Sequence, residues 1–199
     1  MNSKTEELKK VKDRVVALTE SSLYAYRTEN KFFPVIGEGS HDAKIMFIGE
    51  APGENEAKTG RPFVGRAGKL LDKLLESVGI PRAEVYITNI VKDRPPKNRD
   101  PLPDEIALYA PFLDRQIEII KPKVIATLGR FSMQYVMNRY GLEWELAPIS
   151  VLHGKVFETE IAGEKVKILP LYHPAAAIYN QELLKTLEYD FQVLKGLAK

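Results

Sequence analysis

The alternation of short apolar runs with helical patterns constrains the fold of this chain more than any other feature. Four short apolar segments read as buried strands: "KIMFIGE" (44–50), "VYITNIV" (85–91), "KVIATLG" (123–129) and the second arm of a hairpin that ends at His173. Short strands that alternate with helices usually form a parallel sheet covered on both faces. The sequence therefore predicts an α/β fold, a three-layer α/β/α sandwich with a central, mainly parallel four-stranded sheet.

Helical patterns fill the intervals between these strands. Residues 3–27 carry apolar side chains spaced by three and four, which predicts one amphipathic helix. Further helices are predicted over residues 65–79, 103–120, 130–139 and 180–197. Pro111 predicts a kink or an early end in the second of these, and Ala162-Gly163 predicts the hairpin turn.

Bulk properties narrow the possibilities further. The 199 residues fit a single domain spanning 1–199, and a net charge of +2 does not by itself indicate a polyanionic partner. The chain has no cysteine and only three histidines, without metal-ligand spacing, so no metal site is predicted. No signal-type segment or membrane-length apolar run occurs, which predicts a soluble, intracellular protein with no membrane partner.

Polar segments follow all four predicted strands. In open α/β sheets, ligands bind beyond the carboxyl ends of the strands. The segments are "GEAPGENE", "TNIVKDRPPKNR", "GRFS" and "YHPAAA". A binding site is therefore expected at this edge of the sheet.

The first loop, "GEAPGENEAKTGRPFVGRAGKLL" (49–71), is rich in glycine and carboxylates. A carboxylate at a strand end, such as Glu50, can orient and polarise a water molecule. Phe63 either packs back onto the domain or offers a stacking surface for a ring. The glycines match neither the P-loop nor the dinucleotide fingerprint, which disfavours a nucleotide hydrolase.

The second loop begins with an amide where a strand disfavours one. Asn89 either satisfies a neighbouring loop or pairs with the donor and acceptor of a pyrimidine edge. One acid, Asp93, then stands among four cations: Lys92, Arg94, Lys97 and Arg99. This loop is either a solvated basic loop or a set of phosphate contacts.

The third segment places His173 at the end of the last strand, as a structural cap or a catalyst. The small residues after it would let the backbone approach DNA closely: Pro174, Ala175 and Ala176. An apolar side chain beyond them, Ile178 or Tyr179, could act as a wedge between bases.

Together, "GEAPGENEAKTGRPFVGRAGKLL", "TNIVKDRPPKNRDP" and "LYHPAAA" resemble the motifs of family 4 uracil-DNA glycosylases of thermophilic archaea and bacteria. The similarity runs from about residue 14 to the C-terminus. It implies a glycosylase-type sandwich in the prokaryotic cytoplasm, a monomer that excises uracil from single- or double-stranded DNA. The reaction would be monofunctional and hydrolytic, leaving an abasic site for base excision repair.

The resemblance also implies residue roles. Glu50 would lie beside the sugar and the attacking water, and His173 would face the uracil O2. Phe63 would stack on the flipped base, Asn89 would read its edge, and Glu56 would lie near C5 and help exclude thymine. Ala51 belongs to the same substrate-binding motif. The DNA-binding residues would be Lys92, Arg94, Lys97, Asn98, Arg99, Pro174, Ala175 and Ala176.

The chain departs from this family at one feature. Family 4 enzymes hold a [4Fe–4S] cluster on four cysteines, and the resemblance aligns those positions with Leu18, Ser21, Asp93 and Tyr109. None of these side chains supplies a thiolate, so no cofactor is expected. We expect Leu18 and Tyr109 to pack in its place, and Asp93 to bond Ser21 or a nearby arginine.

Two other functions remain open. One is a non-catalytic module that binds uracil or DNA, and the other is a superfamily member with altered base specificity, including a covalent trap. The loop around His173 lacks the basic insertion expected of the covalent type. The presence of Glu50, Phe63 and Asn89 together with His173 favours an enzyme.

Overall fold

The computed structural model describes residues 3–197. Its helices are α1 (Lys4–Val16), α2 (Ser22–Glu29), α3 (Glu54–Thr59), α4 (Arg66–Ser77), α5 (Pro103–Ile120), α6 (Arg130–Arg139), α7 (Ile149–Leu152), α8 (Pro174–Ala177) and α9 (Gln181–Leu197). Its strands are β1 (Glu38–Gly39), β2 (Ile45–Gly49), β3 (Tyr86–Asn89), β4 (Val124–Leu128), β5 (Phe157–Ile161) and β6 (Glu164–Leu171). The predicted helices after residue 64 all form, with ends shifted by no more than two residues.

The strands form one sheet in the order β1-β3-β2-β4-β6-β5. The four central strands run parallel, whereas β1 and β5 pair antiparallel at the edges. The mainly parallel sheet is confirmed, but it has six strands and not four. β1 has only two residues, so it is too short to show a strand pattern in the sequence. It forms where Gly39 lies so close to the Val85 carbonyl that a side chain at residue 39 would collide with that oxygen.

Two hydrophobic cores cover the two faces of the sheet, because successive side chains of a strand point to opposite sides. Met46 and Ile48 face the core built with α1, α2, α5, α6 and α7. Phe47 faces the other core, built with α4, α8 and α9. The predicted three-layer sandwich is therefore confirmed.

The predicted helix over residues 3–27 is wrong, since α1 and α2 are separate. The Ser21 hydroxyl accepts the Leu23 N–H and so begins α2. The Arg27 guanidinium then folds back to donate to the carbonyls of Val15 and Val16, at 3.3 and 2.6 Å. These hydrogen bonds satisfy carbonyl groups at the carboxyl end of α1. The periodic spacing of apolar residues in the sequence does not reveal such contacts.

Pro111 does not break α5, which runs on to Ile120. Proline removes one backbone hydrogen bond and is usually unfavourable at such a position. The side chains of Tyr109, Phe112 and Leu113 around it are buried in the core. Burial of this face therefore outweighs the local cost of the proline.

Three of the four positions that the resemblance aligns with cluster ligands meet in one hydrogen-bonded group. The Tyr109 hydroxyl donates to Asp93 Oδ2 at 2.6 Å and lies 3.1 Å from Ser21 Oγ. Arg27 pairs with the same Asp93 oxygen at 3.0 Å, and Leu18 packs against the surrounding core. Burial raises the pKa of Asp93, while the bonds from Tyr109 and Arg27 act in the opposite direction.

These side chains do not fit an iron–sulfur cluster, because none of them is a thiolate. Within residues 3–197, no group of three or more His, Cys, Asp or Glu is placed to hold a metal ion. The same described segment contains no helix that is both long and apolar enough to cross a membrane. A network of one buried ion pair and two hydroxyl groups thus joins α2, α5 and the loop after β3.

We predict that Arg27→Met lowers the free energy of unfolding by about 3–5 kcal/mol, because it leaves Asp93 buried without its cation. The loss should be smaller at pH 4 than at pH 7, since burial raises the pKa of Asp93 and protonation removes the unpaired charge. Urea titrations at both pH values measure this.

Arg61→Met is the matched control, because Arg61 pairs with Glu38 at the solvent-exposed surface. It should leave stability nearly unchanged. Equal losses in the two variants would show that the buried pair has no special role.

Candidate functional site

A cavity of about 510 Å³ opens beyond the carboxyl ends of the central strands. It collects many of the predicted site residues, from three separate segments of the chain: Glu50, Ala51, Glu56, Phe63, Asn89, Asn98, Arg99, His173 and Ala175. The parallel arrangement of β2, β3 and β6 is what brings the three segments to one edge.

Asn89 ends β3 and lies opposite Gly49 of β2. It is only 1% exposed, yet its Oδ1 has no hydrogen-bond partner among the described residues. A side chain at Gly49 would collide with this oxygen and would lie 2.9 Å from the Phe63 ring. Because a buried amide oxygen without a partner is costly, this arrangement indicates a ligand that donates a hydrogen bond.

Phe63 adopts a left-handed backbone conformation, with φ of 50°. A bulky residue rarely adopts this conformation unless its surroundings enforce it. On one side, Arg82 donates to the Pro62 carbonyl at 2.7 Å. On the other, Glu56 Oε1 accepts the backbone N–H groups of the two residues after Phe63, at 2.9 Å each. The turn that presents the ring is thus fixed from both ends.

The Phe63 ring is shared between the core and the cavity. It packs into the core against α4, and it also lines the cavity. Its centroid lies 5.6 Å from that of the His173 ring, with 31° between the planes. One face of the cavity is therefore formed by two aromatic rings, which suits a planar ligand.

His173 begins α8, and its Nδ1 accepts the Ala175 N–H at 3.1 Å. Burial lowers the pKa of His173 to about 4, and the charge of Glu56 acts weakly in the opposite direction. The imidazole is therefore neutral at pH 7. Since Nδ1 accepts a hydrogen bond, the proton resides on Nε2, which is free to donate to a ligand.

Glu50 follows β2 and lines the cavity. Burial, together with the charge of Asp100, raises the pKa of Glu50 to about 7, against the opposing effect of Arg130. Arg130 and Asp100 themselves lie 3.4 Å apart at the exposed rim. This carboxyl group therefore changes its charge close to neutral pH.

The structure corrects the prediction that Lys92 contacts phosphate. Its side chain is fully buried. Its Nζ lies 2.6 Å from the Asn89 carbonyl oxygen and points into the protein. A run of cations in sequence does not show which of them face solvent, because burial depends on partners elsewhere in the chain.

The other predicted DNA contacts differ in whether their side chains are engaged within the protein or exposed to solvent. Arg94 is largely buried and bonds Glu54 and Asn98, and Arg99 pairs with the buried carboxylate of Glu105. Lys97 and Asn98 are exposed on the loop. In α8, Ala175 and Ala176 are exposed and Pro174 is buried.

Sequence reasoning missed several residues at the site. Asn55 and Arg66 line the cavity, and Arg82 supports Phe63 from outside the quoted motifs. The Arg66 guanidinium lies over the Tyr179 ring at 5.5 Å and bonds its hydroxyl, and Tyr179 is 82% exposed. Asn55 and Arg66 lie inside the first motif, so their place in that motif was the available signal.

Known proteins are similar to this chain over most of its length. Residues 36–197 match the model of the "Uracil DNA glycosylase superfamily". A type-4 uracil-DNA glycosylase of Sulfurisphaera tokodaii is 47% identical, covering 97% of this chain and 86% of the relative. The type-4 enzyme of Archaeoglobus fulgidus is 46% identical, covering 87% and 85%, and that of Saccharolobus solfataricus is 47% identical, covering 93% and 83%. The chain therefore belongs to the uracil-DNA glycosylase superfamily, within its type-4 family.

Proposed function

We propose that this protein excises uracil from DNA by hydrolysis of the glycosidic bond and leaves an abasic site. The observation that carries the proposal is the buried, unpartnered Oδ1 of Asn89, a residue that lines the cavity. The proposed substrate is uracil-containing DNA, single- or double-stranded. We propose further that the enzyme acts as a monofunctional monomer in the cytoplasm of a prokaryotic cell.

Asn89 would read the base through complementary hydrogen bonds. Uracil presents an N3–H donor next to the O4 acceptor, so Oδ1 would accept the first and Nδ2 would donate to the second. Cytosine has an acceptor at N3 and an amine at C4, which reverses both positions. A mismatched edge leaves the buried amide unpaired, which is how such a site rejects the wrong base.

Glu56 would exclude thymine. Its carboxylate is held by two backbone N–H groups next to Phe63, so it cannot move aside easily for a methyl group at C5. Ala51, in the same motif, lines the cavity without filling it. The pocket would therefore admit a flat, unsubstituted pyrimidine.

Catalysis would rest on charge development at both ends of the breaking bond. The base must first leave the duplex stack, at a cost of a few kcal/mol, and stacking on Phe63 would return about 1–3 kcal/mol. His173 would donate from Nε2 to the uracil O2 as negative charge develops there. Glu50, as a carboxylate, would stabilise the positive sugar and orient the attacking water. No lysine needs to form a covalent intermediate, so strand cleavage is not expected.

A non-catalytic uracil- or DNA-binding module, the alternative function, would require fewer of these residues. A binder needs Asn89 and Phe63 but gains nothing from a carboxyl group poised at neutral pH. The position of Glu50 in the lining of the cavity, with its pKa raised to about 7, favours an enzyme.

We predict that the protein releases uracil from single- and double-stranded oligonucleotides, with strand breaks appearing only after alkali. Asn89→Ala should slow release strongly while leaving the fold intact. Gel analysis before and after alkali separates the alternatives. Retarded but intact DNA would identify a binder, and a complex that survives denaturant would identify a covalent trap.

We predict a pH profile governed by Glu50. Because the carboxylate is the active form and its pKa lies near 7, kcat/KM should rise with pH below 7 and level off above it. Because the pKa of His173 is about 4, this side chain is mostly neutral above pH 5 and should add no second limb between pH 5 and 7. Glu50→Gln should lower the rate by about 10²–10⁴-fold and abolish the dependence. A flat wild-type profile would contradict this assignment.

We predict that Lys97→Ala weakens DNA binding and reduces the slope of log K against log salt by about 0.7–0.9, the value for one phosphate contact. Lys165→Ala is the control, because Lys165 is exposed near the start of β6, at the opposite edge of the sheet. Fluorescence anisotropy over a salt series measures both. The same slope in all three proteins would exclude the loop from phosphate contact.

A further inference from the structure

Lys92 is the most unusual side chain near the candidate site. It is fully buried, whereas lysines are almost never fully buried unless they are paired. Among residues 3–197, no carboxylate forms a salt bridge with it, in contrast to its neighbour Asp93, which pairs with Arg27. An interior lysine that is neither an ion-pair partner nor a surface cation needs another explanation.

Three oxygen atoms surround the Lys92 Nζ. The Asn89 carbonyl oxygen and Gln116 Oε1 each lie at 2.6 Å, and Thr88 Oγ1 lies at 2.8 Å. One of the three therefore belongs to the main chain of the residue whose side chain enters the cavity. Among the described residues, Lys92 is the buried cation that donates a hydrogen bond to Asn89.

The roles of these oxygens are fixed by the Ile36 carbonyl. The single proton of the Thr88 hydroxyl goes to Ile36 O at 2.7 Å, or to the longer contact with Gln116 Oε1 at 3.3 Å, so its oxygen can only accept from Lys92. The Gln116 amide points Nε2 at the same carbonyl, at 2.9 Å, so its Oε1 faces the lysine. The Asn89 carbonyl can only accept. All three neighbours of Nζ are therefore acceptors.

Three acceptors require three hydrogens, and only an ammonium group supplies three. A neutral amine has two, and its lone pair would face the third oxygen. Burial lowers the pKa of Lys92 well below its usual value, so solvent exclusion acts strongly against the charge. The complete set of acceptors opposes that effect, because hydrogen bonds to the charged form favour it.

We propose that Lys92 is a positioning residue for uracil excision: its ammonium group fixes the main chain of Asn89 and sets a positive charge behind the base-reading amide. This rests on the proposed function. An interior cation that is already in place favours the negative charge that develops on the departing uracil, without reorganisation during the reaction. The same bond fixes the direction of the Asn89 side chain and therefore the discrimination between uracil and cytosine.

Lys92→Met tests the proposal, since methionine has a similar unbranched shape and no charge. Single-turnover excision at saturating DNA should slow by about 10- to 100-fold, the range for a displaced catalytic group. DNA affinity should stay the same, because Lys92 does not reach the surface. Inhibition by free uracil should weaken, and the ratio of uracil to cytosine excision should fall. An unchanged rate in a folded variant would overturn the proposal.

Leu113→Ala is the matched control. Leu113 is buried in α5, the helix that carries Gln116, and its truncation should lower Tm without changing rate or base preference below Tm. If Leu113→Ala slowed excision and weakened uracil inhibition as much as Lys92→Met, the role of Lys92 would be structural only.

A second measurement needs no variant. In wild-type protein with ¹⁵N-labelled lysine, NMR should show a slowly exchanging ammonium signal for Lys92 at pH 7. A neutral amine at this pH would overturn the proposed charge. If the wild-type protein releases no uracil at all, the proposed function fails. If it does, and Lys92→Met matches it, only the role of Lys92 fails.

Discussion

Two consecutive charged residues, Lys92 and Asp93, are both fully enclosed just after β3, and the region around the site is organised by their need for partners. A buried charge is tolerated only when its hydrogen-bonding groups are satisfied. Lys92 therefore engages Gln116 of α5 and the end of β3. Asp93 engages Arg27 of α2 and Tyr109 of α5. The path of the chain after Asn89 is fixed by these contacts on both sides, and with it the position of the amide.

The same physical cause, burial, acts in opposite directions on the two candidate catalytic groups. Loss of water disfavours charge, so it raises the pKa of Glu50 to about 7 and lowers that of His173 to about 4. The imidazole is held as a neutral donor, and the carboxyl group is poised near neutrality. In the proposed reaction, the departing anionic base would meet this imidazole as a hydrogen-bond donor.

Much of the site follows from the sequence once the four central strands are identified. Strands that run parallel end at one edge, so residues that follow them must meet, and Glu50, Phe63, Asn89 and His173 do line one cavity. The errors have a common origin. The single helix over residues 3–27 and the phosphate contact at Lys92 both treated local pattern as sufficient. In each case a residue outside the local pattern determines the structure. Arg27 folds back and donates to the end of α1, and Gln116 accepts a hydrogen bond from the buried Lys92.

The sequence by itself determined the order of the four central strands and of the long helices between them, because the alternation of apolar and polar side chains records which face each element buries. It also determined which chemical groups follow the strands. Only the tertiary structure decided which of those groups face solvent, which are neutral and which are charged. Burial, partners and pKa depend on residues far apart in the chain, such as Arg27 and Asp93, 66 positions from each other. Their meeting is a property of the packed protein and leaves no periodic signal in its sequence.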